Sequence, residues 1–166
     1  RGLGDVYKRQ DESFTEIAVK IYFRDKGFHV CTHCENDPPQ SCNKCAYHSG
    51  EFEGGQHGAD IVARKDDETW IVEVKGVRPS RGASYNQAFY EAVAQTILNM
   101  KSIAPMTRYA IALPAAKRYL TLLKKLLTSA PFEVLDLHIL LLRQHNDNLL
   151  IDRLDALTSQ KATNRK

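Results

Sequence analysis

Asp60, Glu73 and Lys75 are the residues of this chain best suited to chemistry. They stand in two short segments, Gly58-Ala59-Asp60-Ile61-Val62 and Trp70-Ile71-Val72-Glu73-Val74-Lys75-Gly76. Successive side chains of a strand point to opposite faces, so Glu73 and Lys75 project together with Ile71, while Trp70, Val72 and Val74 point into a core. The polar turn Asp66-Asp67-Glu68 folds the preceding strand back alongside and can bring Asp60 toward Glu73. Two carboxylates and an ammonium on one patch of sheet suit phosphodiester hydrolysis. Mg²⁺ prefers oxygen ligands, often takes only one or two carboxylates and keeps several waters. Such an ion activates water and neutralises phosphate charge. The carbonyl of Val74 offers a further oxygen ligand, and Lys75 would orient the water or stabilise transition-state charge. The same residues would also serve as an ordinary cross-strand ion pair. What favours a site is that these charges interrupt two otherwise strongly apolar strands.

A second cluster has different chemistry. All four cysteines fall within fifteen residues, as Cys31-Thr32-His33-Cys34 and Cys42-Asn43-Lys44-Cys45. Paired Cys-x-x-Cys knuckles are the signature of a tetrahedral structural Zn²⁺ site. The seven-residue gap is shorter than in most zinc ribbons, but Pro38 and Pro39 suit a tight loop. Disulfides are one rival reading, which a cytoplasmic setting disfavours, and an iron–sulfur cluster is the weaker rival. A closed four-thiolate site has no open position, so the two metals are expected to be separate: Mg²⁺ (or Mn²⁺) for catalysis, Zn²⁺ for structure.

The elements that must position these residues can be read from pattern. Ser13 with Glu16 forms a capping box before Ile17, Ala18 and Ile21, and the helix it opens should end near Lys26, before Gly27. Phe28 to Cys31 is a short strand, and the Pro-, Asn- and Asp-rich segment to Cys45 is irregular. Ala59 to Lys65 and Thr69 to Lys75 are strands. Ser84 can cap a helix running to about Lys101, and Arg108 to Leu113 is a further apolar strand ended by Pro114. Ala115 to Leu127 is amphipathic, with Tyr119, Leu122, Leu123, Leu126 and Leu127 on its buried side. Val134 to Leu142 and Leu149 to Asp152 form a hairpin around Gln144–Asn148. The order α, β, β, β, α, β, α, β, β predicts an α/β fold in which helices pack on a mixed sheet.

These features together resemble the PD-(D/E)xK nuclease superfamily, the restriction-endonuclease-like fold. The resemblance runs from Phe14 to about Asp152, and Ala59 stands where the motif's name has Pro. It implies an αβββαβ core, with Asp60 and Glu73 binding Mg²⁺ and Lys75 assisting catalysis. Two helices also match. The first reads Glu16-x-x-Val19-x-x-Tyr22-Phe23, and in the family a glutamate there often reaches the metal; for Glu16 the capping box is an equal alternative. The second carries Gln87, Glu91 and Gln95 on one face. The resemblance implies a glutamine facing the catalytic centre, for which Gln95 fits best; Gln87 is second, with a solvated helix face its better reading. Arg78 and Arg81, just beyond Lys75, could hold phosphates beside the scissile bond, as could a merely solvated loop.

Bulk properties set the frame. The 166 residues suffice for one compact domain, read as 11–155 with the cysteine insertion at 31–45 and a polar tail at 156–166. Residues 1–10 lack an apolar period, resemble a translated adapter and read as a non-native leader; leaving them out lowers the formal charge from +3 to +1. Any case for a nucleic-acid partner is therefore local. No stretch is apolar for long enough to span a bilayer, and a cytoplasmic location is the default. The sequence thus predicts a Mg²⁺-dependent DNA endonuclease, with a second copy of the chain as a candidate partner in a homodimer, as in many such enzymes. The alternative is a catalytically silent, zinc-stapled nucleic-acid-binding module on the same scaffold.

Overall fold

The computed structural model describes residues 12–32, 59–77, 82–100, 106–129, 132, 134–145 and 148–154. Among the described residues, three helices and six strands follow the expected order: α1 (Glu12–Asp25), β1 (His29–Thr32), β2 (Ile61–Lys65), β3 (Glu68–Val74), α2 (Gly82–Asn99), β4 (Thr107–Pro114), α3 (Lys117–Leu127), β5 (Leu137–His145) and β6 (Asn148–Leu154). The strands form one mixed sheet in chain order. β3, β4 and β5 run parallel, and the pairs β1–β2, β2–β3 and β5–β6 are antiparallel.

Both faces of the sheet are covered, which explains why its central strands read as continuous apolar runs. On one face Ile71, Tyr109, Ile111, Leu113, Ile139 and Leu141 pack against Phe89 and Ala92 of α2 and Tyr119, Leu122 and Leu123 of α3. On the other, Ile61, Ala63, Trp70, Val72, Val74, Ala110 and Ala112 meet Val19 and Phe23 of α1. Small residues on β4 let α1 approach closely. Among the described residues, no helix is long and apolar enough to cross a membrane.

Two turns fix the register around the site. α1 ends in a Schellman motif: Phe28 N–H bonds the Phe23 carbonyl at 3.0 Å and Gly27 N–H that of Arg24 at 2.9 Å, with Gly27 at φ +81°. The Lys65 ammonium adds a bond to the Lys26 carbonyl at 2.9 Å, tying the helix end to β2. The β2–β3 hairpin closes with Lys65 opposite Glu68. Asp66 takes φ +51° there, the left-handed conformation that a two-residue hairpin loop requires.

The last hairpin departs from expectation at both ends. Val134 precedes β5 and is 80% exposed; the strand starts at Leu137, after Asp136 turns the chain at φ +47°. The β5–β6 ladder continues to His145 opposite Asn148, so the connection is shorter than the Gln144–Asn148 loop expected. Apolar alternation marks strand interiors but is silent about polar ladder ends, where only backbone pairing decides.

Candidate active site

The site is built where β2 and β3 separate. Their register ends with Ile61 opposite Val72, and one step further would set Asp60 opposite Glu73. Opposed residues in an antiparallel pair project to the same face. The chain bends at Asp60, and its carboxylate accepts the Val74 N–H at 2.7 Å in place of a strand carbonyl. On its other edge β3 stays paired, with Lys75 N–H bonding the Ala112 carbonyl at 3.0 Å. A residue's N–H and C=O point to the same edge of a strand, so the Val74 carbonyl is directed to the edge where Asp60 lies.

Glu73 and Lys75 share the face predicted for them, but both are buried, at 4% and 7% exposure. The Lys75 ammonium donates to Glu73 Oε1 at 2.6 Å. Burial pushes the Glu73 carboxyl up to about 7; the Lys75 hydrogen bond opposes this, while the negative charges of Asp60 and Glu12 reinforce it. Burial works against the Lys75 ammonium, yet the hydrogen bond and charge of Glu73, with Glu12 and Asp60, outweigh it and hold its pKa above the ordinary lysine value. Near neutral pH, Glu73 is thus poised between acid and carboxylate beside a firmly charged lysine.

Glu12 is the residue that sequence reasoning missed. Glu12, Thr15 and Val19 share one side of α1 by helical spacing, and Thr15 and Val19 are buried. Taking Ser13 as the N-cap left Glu12 outside the helix, whereas α1 begins there. Glu16, one turn later, forms an i,i+4 ion pair with Lys20. It is therefore the acid at the helix start, and not Glu16, whose charge acts on Glu73 and Lys75.

The other expected participants divide. Gln95 is not brought to the trio. Tyr85 of α2 meets Tyr119, whose hydroxyl bonds the Gly76 carbonyl, and ten residues at 1.5 Å each carry Gln95 about 15 Å further along the axis, where it is exposed. Gln87 is also exposed and donates to Glu91 at 2.8 Å. The buried side of α2 is Ala88, Phe89, Ala92 and Thr96 instead. Cys31 lies on β1 opposite Val62. Cys34, Cys42, Cys45, Arg78 and Arg81 fall outside the described residues, as do the leader and tail.

One support was not legible in advance. Tyr119 of α3, fully buried, donates its hydroxyl proton to the Gly76 carbonyl at 2.9 Å. Its ring meets Tyr85 edge-on at 5.2 Å and lies tilted against Phe89 of α2. Both helices therefore clamp the backbone immediately after Lys75. Periodicity marked Tyr119 as core, but nothing in it said where the hydroxyl would find an acceptor.

Chemically, the arrangement offers two carboxylates, a backbone carbonyl and an ammonium at the carboxyl end of parallel strands, the edge where open α/β sheets place their ligands. Among the described residues, no group of three or more His, Cys, Asp and Glu side chains is placed to hold a metal, so a cation here would rest on two acids, backbone oxygen and water. No family model, no curated protein and no solved structure matches the chain.

Proposed function

We propose that the chain is a metal-dependent nuclease of the PD-(D/E)xK type, hydrolysing phosphodiester bonds, with DNA as substrate. One observation carries the reading. Two acids and a lysine gather where the sheet opens, and two of them are buried within an otherwise apolar layer. Burying an ion pair costs more solvation than its attraction returns, so such a pair is poor evidence of a stabilising role. Two acids close enough for Asp60 to raise Glu73 make a set that a divalent cation would relieve.

In this reading Asp60, Glu73 and the Val74 carbonyl hold Mg²⁺. The ion, when bound, supplies an activated water and neutralises phosphate charge. Asp60 is oriented by the Val74 N–H, which its Oδ2 accepts. Lys75 donates to the developing phosphorane charge, and Glu73 keeps that ammonium in place. Tyr119 holds the Gly76 carbonyl and so the end of β3. The four cysteines bind a separate structural Zn²⁺.

The test is incubation of purified protein with linear and circular duplex DNA, single-stranded DNA and RNA, with and without Mg²⁺. Cleavage of circular duplex only with the metal is expected, and Lys75→Ala should lower the rate at least a hundredfold, the scale of losing one transition-state donor. Undiminished cleavage by Lys75→Ala would sink the assignment. Binding of DNA without cleavage in Mg²⁺ or Mn²⁺ would favour the silent binding module instead.

A further inference from the structure

The wet side of α3 has a charge pattern that the site does not use. The helix carries Lys117, Arg118, Lys124 and Lys125 and no acidic residue. At 100° per residue these four fall within one arc of about 120°, together with Thr121 and Thr128. All six are exposed, and Thr128 closes the arc at the helix end by donating to the Lys124 and Lys125 carbonyls. Among the described residues, none of the four cations is in an ion pair. A face of like charges with no compensating acids costs self-repulsion, which a polyanion would relieve.

The location selects the polyanion. β4 runs parallel to β3 and ends at Pro114, so α3 begins at the same edge as Glu73 and Lys75. The Tyr119–Gly76 bond pins the first turn of α3 to the residue following Lys75. Lys117 and Arg118 immediately precede Tyr119, and Lys124 and Lys125 lie about 10–12 Å further along the axis. Measured along the duplex axis, that span matches about three phosphate steps of one strand. No apolar side chain interrupts the arc, which disfavours a second copy of the chain as occupant.

We infer that the Lys117–Arg118–Lys124–Lys125 face of α3 is a docking surface for the phosphate backbone of duplex DNA extending from the active-site edge. It deepens the nuclease reading and rests on it for the partner's identity. Lys and Arg neutralising phosphates release counterions, so binding should weaken steeply with salt.

The experiment compares the full chain with Lys117→Gln/Lys124→Gln/Lys125→Gln, both carrying Asp60→Asn to prevent cleavage. Affinity for a duplex of about 30 base pairs is measured across salt concentrations. Loss of three phosphate contacts should lower the slope of log K against log salt by about 2–3. The Lys→Arg triple variant should keep the parental slope, and unchanged circular dichroism and melting should show that the fold is retained. An unchanged slope in the Gln variant, or binding to anionic phosphatidylserine vesicles but not to the duplex, would overturn the surface. Wild-type cleavage accompanied by an unchanged slope defeats the surface alone; a lowered slope without metal-dependent cleavage defeats the nuclease reading alone.

Discussion

Glu73 is a carboxyl with 4% exposure, an ammonium 2.6 Å away and a second acid beside it. Its ordinary value of 4.5 is raised to about 7. The folded chain therefore binds this proton more tightly than the unfolded chain does. The stability it contributes is complete below pH 4.5 and is lost as pH rises through about 7. A shift of this size corresponds to a few kcal/mol. Glu73→Gln, which keeps shape and neutrality, should remove that slope and raise the metal-free melting temperature at pH 8 while leaving pH 5 nearly unchanged; thermal melts at both pH values would show it. Lys75 acts in the same direction but in a later window, because its pKa is also raised and the stability it contributes is lost only as pH rises beyond the ordinary lysine value. Removing Lys75 leaves Glu73 buried without its donor, so Lys75→Ala should drive the Glu73 titration still higher, visible by carboxyl NMR.

At the scale of elements, the site depends on how strands and helices end. β2 departs from β3 at Asp60, and β3 is held after Lys75 by Tyr119. Tyr119→Phe keeps the aromatic packing and removes one buried hydrogen bond, leaving the Gly76 carbonyl without that donor. A loss of about 1–3 kcal/mol is expected in urea unfolding, together with a fall in kcat that exceeds any change in KM. At the other end of the hairpin, Gly27 closes α1 with φ +81°, and a methyl there would meet only the tip of Lys65, at 3.6 Å. Gly27→Ala is thus disfavoured by backbone conformation alone, at about 1 kcal/mol. A loss several times larger in denaturant melts would point to a clash that the geometry does not contain.

At the scale of the molecule, three layers bring residues from distant parts of the chain to one edge: Glu12 from α1, Asp60 from the bend before β2, Glu73 and Lys75 from the end of β3 and the residue just past it, and Tyr119 from α3. A ligand that binds only this assembled edge stabilises the whole fold by mass action, about 2.7 kcal/mol at a hundred times its Kd. Mg²⁺ should therefore raise the melting temperature by several degrees at pH 8, where Glu73 is ionised, and by much less at pH 5. Asp60→Asn should abolish the increment. Scanning calorimetry at the two pH values measures it without reference to any nuclease assay.

Much of this could be read directly from the residues. Apolar runs bounded by turn residues marked the nine elements of the described residues in order, because burial on two faces or one imposes a period on the chain that no distant contact has to supply. The same period put Glu73 and Lys75 on one face, and the Asp66-Asp67 turn set Asp60 near them. Tertiary structure decided the rest. Which acid of α1 faces the site depended on where the helix starts, a matter of one turn; how far Gln95 lies from Lys75 depended on the helix's direction across the sheet. The burial of the Glu73–Lys75 pair, and with it the raised carboxyl, came from α2 and α3 covering the face. So did the acceptor for Tyr119. Local pattern fixes what a residue presents to its own element, while distance and solvation belong to the layers that close over it.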